Sequence, residues 1–190
     1  MTAPAAVPTP YRFTRDEYYR MGDAGLFVDQ RVELLDGEII TMPPPNPPHA
    51  GVLTLVPSVL MRVLGASVAI RIQLPIVLDD WSEPEPDIAV CQLDPDSYMF
   101  AHPKADQVIL LIEVAESSLL YDRGQKTVAY ARSGIPEYWI LNLVDRKVEM
   151  FSAPDPISQC YRMERSAGVG DMLLLPGGVA LAATDILPRY

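Results

Sequence analysis

Apolar and polar positions follow two different periods along the chain, and the change from one to the other separates helices from strands. Residues 50–64 carry apolar side chains every three or four positions, which predicts an amphipathic helix. Pro57 lies inside this segment and favours a late helix start or a kink. Residues 108–114 are almost continuously apolar, which is typical of a strand covered on both faces, and residues 88–91 form a shorter strand-sized run.

Turn and capping residues delimit the amino-terminal third of the chain. A T-x-x-E capping box that begins at Thr14 predicts a short helix. The Asp-Gly pair at residues 36–37 separates apolar runs at 31–35 and 38–42, which is the pattern of a hairpin with a tight turn. The segment MPPPNPPH that follows is expected to form an extended, exposed loop, because proline fixes φ and lacks a backbone donor.

The second half of the chain predicts strands on either side of a helix. Residues 119–132 mix apolar and charged positions and end before Gly134, which fits a helix with a glycine cap. The other expectations are one or two strands in 67–78, strands at 137–143 and 147–151, and edge strands or a cap in 171–187. This order predicts an α/β domain, more fully an α+β mixed sheet, over residues 13–190, after a flexible Pro/Ala arm at 1–12.

Composition limits the class of protein. The chain has 190 residues, 49% of them apolar, and a formal net charge of −10, which suits one folded domain rather than a disordered chain. The acidic balance argues against sequence-blind wrapping of nucleic acid but leaves room for a local nucleic-acid site. We expect a cytoplasmic protein with Cys91 and Cys160 reduced, because the first ten residues do not resemble a secretory signal and no apolar run is long enough for a membrane span.

Two carboxylates next to the strongest strands are the first candidates for chemistry. Glu113 interrupts an apolar run, where an unpaired carboxylate is costly, so it either reaches the strand end, pairs with an arginine or holds a cation. Asp87 follows Pro86 at the start of another strand and alone would be a solvated strand-end acid. Together they suit a hard cation such as Mg²⁺, and the two histidines of the chain are too few for a multi-histidine zinc centre.

Other polar residues have a structural and a functional interpretation. Lys126 either forms an i,i+4 ion pair with Asp122 on a solvated helix face or lies over the strand ends, where its positive charge would offset phosphate charge. Glu33 belongs to one face of the hairpin, and His49 is a hydrogen-bonding residue at the helix start or a proton carrier. Tyr130 is expected among the core aromatics.

The ordered segments RVELLDGEI, PPPNPPHA, SEPEPDIAV and LLIEVAESSLLYDRGQKTVAYARSGIPEYWILNL, within about residues 13–151, resemble the Uma family of "putative restriction endonucleases" in the PD-(D/E)XK superfamily. The resemblance implies a restriction-endonuclease-like core and hydrolysis of DNA phosphodiester bonds with Mg²⁺, or Mn²⁺ as a substitute. It implies that Asp87 and Glu113 hold the metal, with the backbone carbonyl of Val114 or Ala115. The E-x-K lysine is absent, and the resemblance places its counterpart at Lys126.

The resemblance also implies two weaker assignments. Glu33 corresponds to the early acid of the superfamily, which would complete the metal shell or orient a water, and His49 corresponds to a histidine common in the family.

Two other functions are alternatives to the nuclease: a non-catalytic assembly or binding module of the same fold, and a phosphohydrolase acting on small phosphoesters. Exposed edge strands make a homodimer a further expectation.

The charge distribution is unusual for a DNA-binding surface. Residues 79–122 contain eleven acids and one base, Lys104. Bases collect instead at residues 12–20 and at residues 123–132. Three explanations follow: these bases line a groove, a dimer partner supplies charge, or the substrate is not ordinary duplex DNA.

Overall fold

The computed structural model describes residues 9–188 and is built around one six-stranded mixed sheet, so the predicted fold class is confirmed. Residues 1–8 of the predicted arm lie outside the described residues. The sheet has the order β3-β4-β5-β6-β7-β8, and two small hairpins, β1-β2 and β9-β10, complete the strands. The strands are β1 Arg31–Leu35, β2 Glu38–Met42, β3 Ala69–Ile72, β4 Ile88–Cys91, β5 Val108–Ala115, β6 Glu137–Asn142, β7 Lys147–Asp155, β8 Cys160–Gly168, β9 Met172–Leu174 and β10 Ala180–Ala182.

Helices cover both faces of the sheet. One face packs against α2 and the carboxy-terminal hairpin, and the other packs against the end of α3. Within the described sheet, β5 and β6 form the one parallel pair, and α3 makes the crossover between them. The helices are α1 Arg15–Asp23, α2 Pro47–Leu64 and α3, which runs as Leu119–Tyr121, a π-helical turn Asp122–Lys126 and Thr127–Arg132; 3₁₀ turns are Gly65–Ser67, Ala105–Gln107 and Ala183–Asp185.

Local sequence signals account for several elements as predicted. The capping box at Thr14 is formed in both directions with Glu17. Asp36 and Gly37 have φ of 51° and 75°, which are the left-handed values that a tight hairpin turn requires. Gly134 follows the end of α3 with φ of 74°, as expected for a glycine cap.

The predicted start of α2 was wrong. The helix begins at Pro47, because Asn46 caps it by accepting a hydrogen bond from the His49 N–H and because proline is favoured in a first turn. The last three of the eight residues of the expected proline loop are therefore helical. Pro57 is buried inside the helix, which continues past it to Leu64.

Two later expectations also need correction. The strand expected in 67–78 is limited to β3, because Gln73 has a left-handed φ of 50° and turns the chain out of the sheet. The carboxy-terminal edge of the sheet is β8, a nine-residue strand that the sequence analysis did not identify. The segment 171–187 forms the small β9-β10 hairpin and a 3₁₀ turn.

Pro47–Ser67 is the described segment that could cross a membrane by length and composition. In this fold, Val52, Val56 and Leu60 of the segment are buried in the core against the sheet. The absence of a membrane span therefore stays a prediction from the sequence.

Two glycines provide a matched test of the hairpin turn. A Cβ at Gly37 would lie 2.5 Å from the Arg12 Cβ, at a positive φ, whereas Gly51 lies in α2 with open space around it. Gly37→Ala should destabilise the protein by about 2 kcal/mol or more, and Gly51→Ala should stabilise it by up to about 1 kcal/mol. Urea unfolding of both variants measures this, and equal effects of the same sign would contradict the turn geometry.

Candidate active site

Asp87 and Glu113 lie side by side at one end of the central strands. Ile88 pairs with Ile112 across β4 and β5, which brings the residue before β4 next to Glu113. The backbone N–H of Asp87 donates to Glu113 Oε2 at 3.2 Å, and the Val114 N–H donates to Asp87 Oδ2 at 2.9 Å. The two carboxylates are only 6% and 3% exposed, so the structure brings the two expected acids together in a nearly dry site.

Lys126 points into the same site. The π-helical turn of α3 directs its ammonium to Glu113 Oε1 at 2.8 Å and to Glu33 Oε1 at 3.4 Å. The side chain is 2% exposed, so the alternative of a solvated ion pair with Asp122 is wrong. Asp122 is itself buried and accepts a hydrogen bond from the Ser118 hydroxyl.

Glu33 lies behind Lys126. It is fully buried on β1, where its carboxylate accepts hydrogen bonds from the Glu85 N–H at 2.9 Å and the Tyr121 hydroxyl at 3.2 Å. Glu33 is not part of the cavity lining, so the structure does not bring it to the face of the site where a metal shell would form. Its contacts instead hold the ammonium of Lys126 in place.

His49 and Gln73 hold the outer oxygen of Asp87. His49 lies in the first turn of α2, and its Nε2 is 3.0 Å from Asp87 Oδ1. The side-chain amide of Gln73 donates to the same oxygen at 3.0 Å, and its backbone N–H donates to the Asp87 carbonyl. The structure therefore places the predicted His49 in the site and adds Gln73.

The sequence analysis missed some contributors to the site. Tyr130 was expected only as a core aromatic, yet its hydroxyl donates to Glu113 Oε1 at 2.8 Å. Its position four residues after Lys126 places both on one face of a helix, and this signal was present in the sequence. Gln73 had no such signal, because its orientation depends on the left-handed turn after β3.

Burial dominates the electrostatics of the site. Burial raises the pKa of Glu113, opposed by the Lys126 ammonium, and burial likewise raises the pKa of Asp122. Burial would also raise the pKa of Asp87, but hydrogen bonds from His49 and the Val114 N–H outweigh it, and the net pKa is lowered. Burial alone would lower the pKa of Lys126, yet the surrounding carboxylates hold it well above its ordinary value.

The site contains more buried acids than cations. Four buried carboxylates, those of Glu33, Asp87, Glu113 and Asp122, surround the single buried ammonium of Lys126. The cavity-lining Arg31 is half-exposed and pairs with Glu85. The buried carboxylates elsewhere are compensated differently, since Glu83 pairs with Arg15 and Glu149 pairs with Arg123. The site thus carries a local excess of negative charge, which favours either bound protons or a bound cation.

A cavity of about 320 Å³ opens over these groups. Its floor contains the side chains of Asp87, Glu113 and Lys126, and its walls include residues 43–45 at the end of the hairpin. The other predicted residue that lines the cavity is His49. Four of the five predicted side chains therefore share one cavity, and Glu33 supports it from behind.

The oxygen donors of the site fit one hard cation that takes only a few of its ligands from the protein. Within residues 9–188, no group of three His, Cys, Asp or Glu side chains is arranged to hold a metal. Asp87 Oδ2 and Glu113 Oε2 each accept one hydrogen bond, so each oxygen retains an acceptor position. Mg²⁺ commonly binds through one or two carboxylates and keeps several waters, which agrees with this pair. The Ala115 carbonyl accepts from the Leu143 N–H, which leaves the Val114 carbonyl as the better backbone candidate.

Comparison with known proteins agrees with the fold. No curated protein matches the chain. A solved structure, described as a putative nuclease belonging to DUF820 from Anabaena variabilis ATCC 29413, superposes with a TM-score of 0.73 at 16% identity, over 92% of this chain and 97% of that one. The model of the Uma2 family, described as "Putative restriction endonuclease", matches residues 15–184. The chain therefore belongs to the Uma2 family.

Proposed function

We propose that this member of a nuclease family is a Mg²⁺-dependent endonuclease that hydrolyses phosphodiester bonds of DNA in the cavity over Asp87 and Glu113. The observation that carries the proposal is the excess of buried carboxylates over cations at the floor of an open cavity. A divalent cation would offset that charge, and the two adjacent carboxylates are hard oxygen donors. Mn²⁺ is expected to substitute for Mg²⁺ because it prefers similar ligands.

Each residue of the site has a distinct part in this reaction. Asp87, Glu113 and the Val114 carbonyl would hold Mg²⁺, which supplies Lewis acidity for the attack of water on phosphorus. Lys126 can offset the negative charge that develops on the phosphoryl oxygens, because Glu113 and Glu33 keep it protonated and oriented. Tyr130 orients Glu113, while His49 and Gln73 orient Asp87 through its outer oxygen.

A non-catalytic binding module of the same fold is the second candidate function. The observation in its favour is the ion pairing of Lys126 with Glu113 and Glu33, because these internal contacts satisfy part of the charge without a metal. The two functions differ in what happens when the lysine is removed. Without the lysine, a cation site would bind a divalent ion more readily. A purely structural ion pair would be lost without an ion taking its place.

Removal of the Lys126 charge separates these two functions. Lys126→Met leaves the Glu113 and Glu33 carboxylates buried without their cation, so it should destabilise the protein by about 3–5 kcal/mol. We expect millimolar Mn²⁺ to restore a clear part of the lost melting temperature, because the cation compensates Glu113. Thermal unfolding with and without Mn²⁺ measures the restoration.

The control is Arg123→Met, which removes one of the two cations, Arg123 and Lys147, that pair with another buried carboxylate, Glu149, away from the cavity lining. Mn²⁺ should not restore the stability of this variant. Equal restoration of both variants, or of neither, would count against a cation site at Glu113 and favour the binding module.

The catalytic proposal makes its own prediction. Asp87→Asn keeps the size of the side chain and one acceptor oxygen but removes its charge, so Mg²⁺-dependent cleavage of DNA, measured on a plasmid and on a single strand, should fall more than about 100-fold. Asp80→Asn, at an exposed acid, is the control and should retain activity. Undiminished cleavage by Asp87→Asn would refute the site assignment, and release of phosphate from small esters without cleavage of either DNA would favour the phosphohydrolase.

The cytoplasmic location and the homodimer stay predictions from the sequence. Both are compatible with the proposed reaction, and neither contributes to the geometry of the site described above. Size-exclusion chromatography with light scattering would measure the oligomeric state directly.

A further inference from the structure

The cavity over Asp87 and Glu113 is bounded on one side by a short segment, residues 43–46, which we call the roof. Three of its four residues are prolines, which restrict backbone motion, and all four are exposed residues that also line the cavity. The side-chain amide of Asn46 donates to the Glu116 carboxylate on the opposite side of the cavity. The roof is thus fastened between the hairpin and the segment that leads into α3.

The space beneath the roof is small compared with a nucleic-acid duplex. Its volume of about 320 Å³ equals that of a cube with an edge of about 7 Å. The major groove of B-DNA alone is about 12 Å wide, and the helix is wider still. The floor carboxylates are 6% and 3% exposed, so a phosphodiester bond must enter the cavity to reach them. While the roof is in place, a single strand can reach them more easily than a duplex.

The cavity walls suit an unpaired base. Ile40 and Met42 of β2, together with the prolines of the roof, form an apolar surface beside the acidic floor, and Tyr121 adds an aromatic side chain. A base in a single strand has free faces that stack or pack on such side chains, whereas a base in a duplex already stacks on its neighbours. The cavity therefore offers one nucleotide an apolar place for its base.

The charge of the cavity lining also favours a single strand over a duplex. Four carboxylates and two cationic side chains line the cavity, the acids being Asp87, Glu113, Glu116 and Asp122. Proteins that hold duplex DNA neutralise many phosphates with lysine and arginine, and this lining does not provide them. A single strand that places one phosphodiester over the metal-binding carboxylates meets less repulsion than two phosphate backbones would.

We infer that the cavity takes an unpaired nucleotide of a single-stranded nucleic acid, and that the roof excludes duplex. The inference rests on the proposed function for the chemistry that follows binding. Its test does not require turnover, because the selection between single strand and duplex is a property of binding.

The test uses one labelled oligonucleotide of fifteen nucleotides, alone and paired with its complement, with phosphorothioate linkages that resist hydrolysis. Fluorescence anisotropy in Mn²⁺ should show that the single strand binds at least about tenfold more tightly, the effect expected from one stacked base. Equal or tighter binding of the duplex overturns the inference, and so does the absence of binding by both.

Variants at Glu116 test whether the roof causes the selection. Glu116→Ala removes the acceptor for Asn46, so the roof should loosen and duplex binding should rise severalfold relative to single-strand binding. Glu116→Gln removes the same charge but keeps an acceptor, so it should preserve the wild-type ratio. If the two variants change the ratio equally, charge rather than the roof is responsible and the role of the roof is refuted.

Cleavage of unmodified oligonucleotides separates this inference from the proposed function. Preferential binding of the single strand without Mn²⁺-dependent cleavage would overturn the hydrolytic function and leave the binding inference intact. Cleavage of duplex at least as fast as single strand would support the hydrolytic function and overturn the inference.

Discussion

The contact between the Lys126 ammonium and the carboxylates of Glu113 and Glu33 is the interaction on which the site depends. It joins β1, β5 and α3, three elements that lie far apart in the sequence, and it is almost completely removed from water. One ammonium cannot balance the carboxylates that surround it, because Asp87 and Asp122 are buried beside it as well. This imbalance connects a structural feature, a buried ion cluster, with the proposed chemical one, a site for a divalent cation.

The fold explains how the cluster is assembled. The antiparallel pairing of β4 and β5 brings the residue before one strand beside a residue inside the other, which is how Asp87 meets Glu113. The crossover from β5 to its parallel neighbour β6 returns α3 over the same strands, and the π-helical turn directs both Asp122 and Lys126 inward. Such turns interrupt regular helices and often occur at functional sites.

Much of this arrangement is encoded locally and could be predicted. The hairpin follows from its Asp-Gly turn, and the importance of Glu113 follows from a carboxylate inside an apolar strand. The start of α2 could not be placed correctly, because consecutive prolines indicate a loop until Asn46 is recognised as a cap. The role of Gln73 depends on a backbone turn after β3, which no spacing in the sequence reveals. Sequence patterns therefore identified most of the charged groups, and tertiary contacts determined their partners.

The central claim is that Asp87 and Glu113 form a divalent cation site despite their contacts with protein donors. An anomalous difference map from a crystal soaked in Mn²⁺ tests it most directly, since it requires no assumption about the substrate. The account predicts a single strong peak between the two carboxylates, within bonding distance of Asp87 Oδ2 and Glu113 Oε2. A map without a peak there, with Lys126 still paired to Glu113, would contradict it.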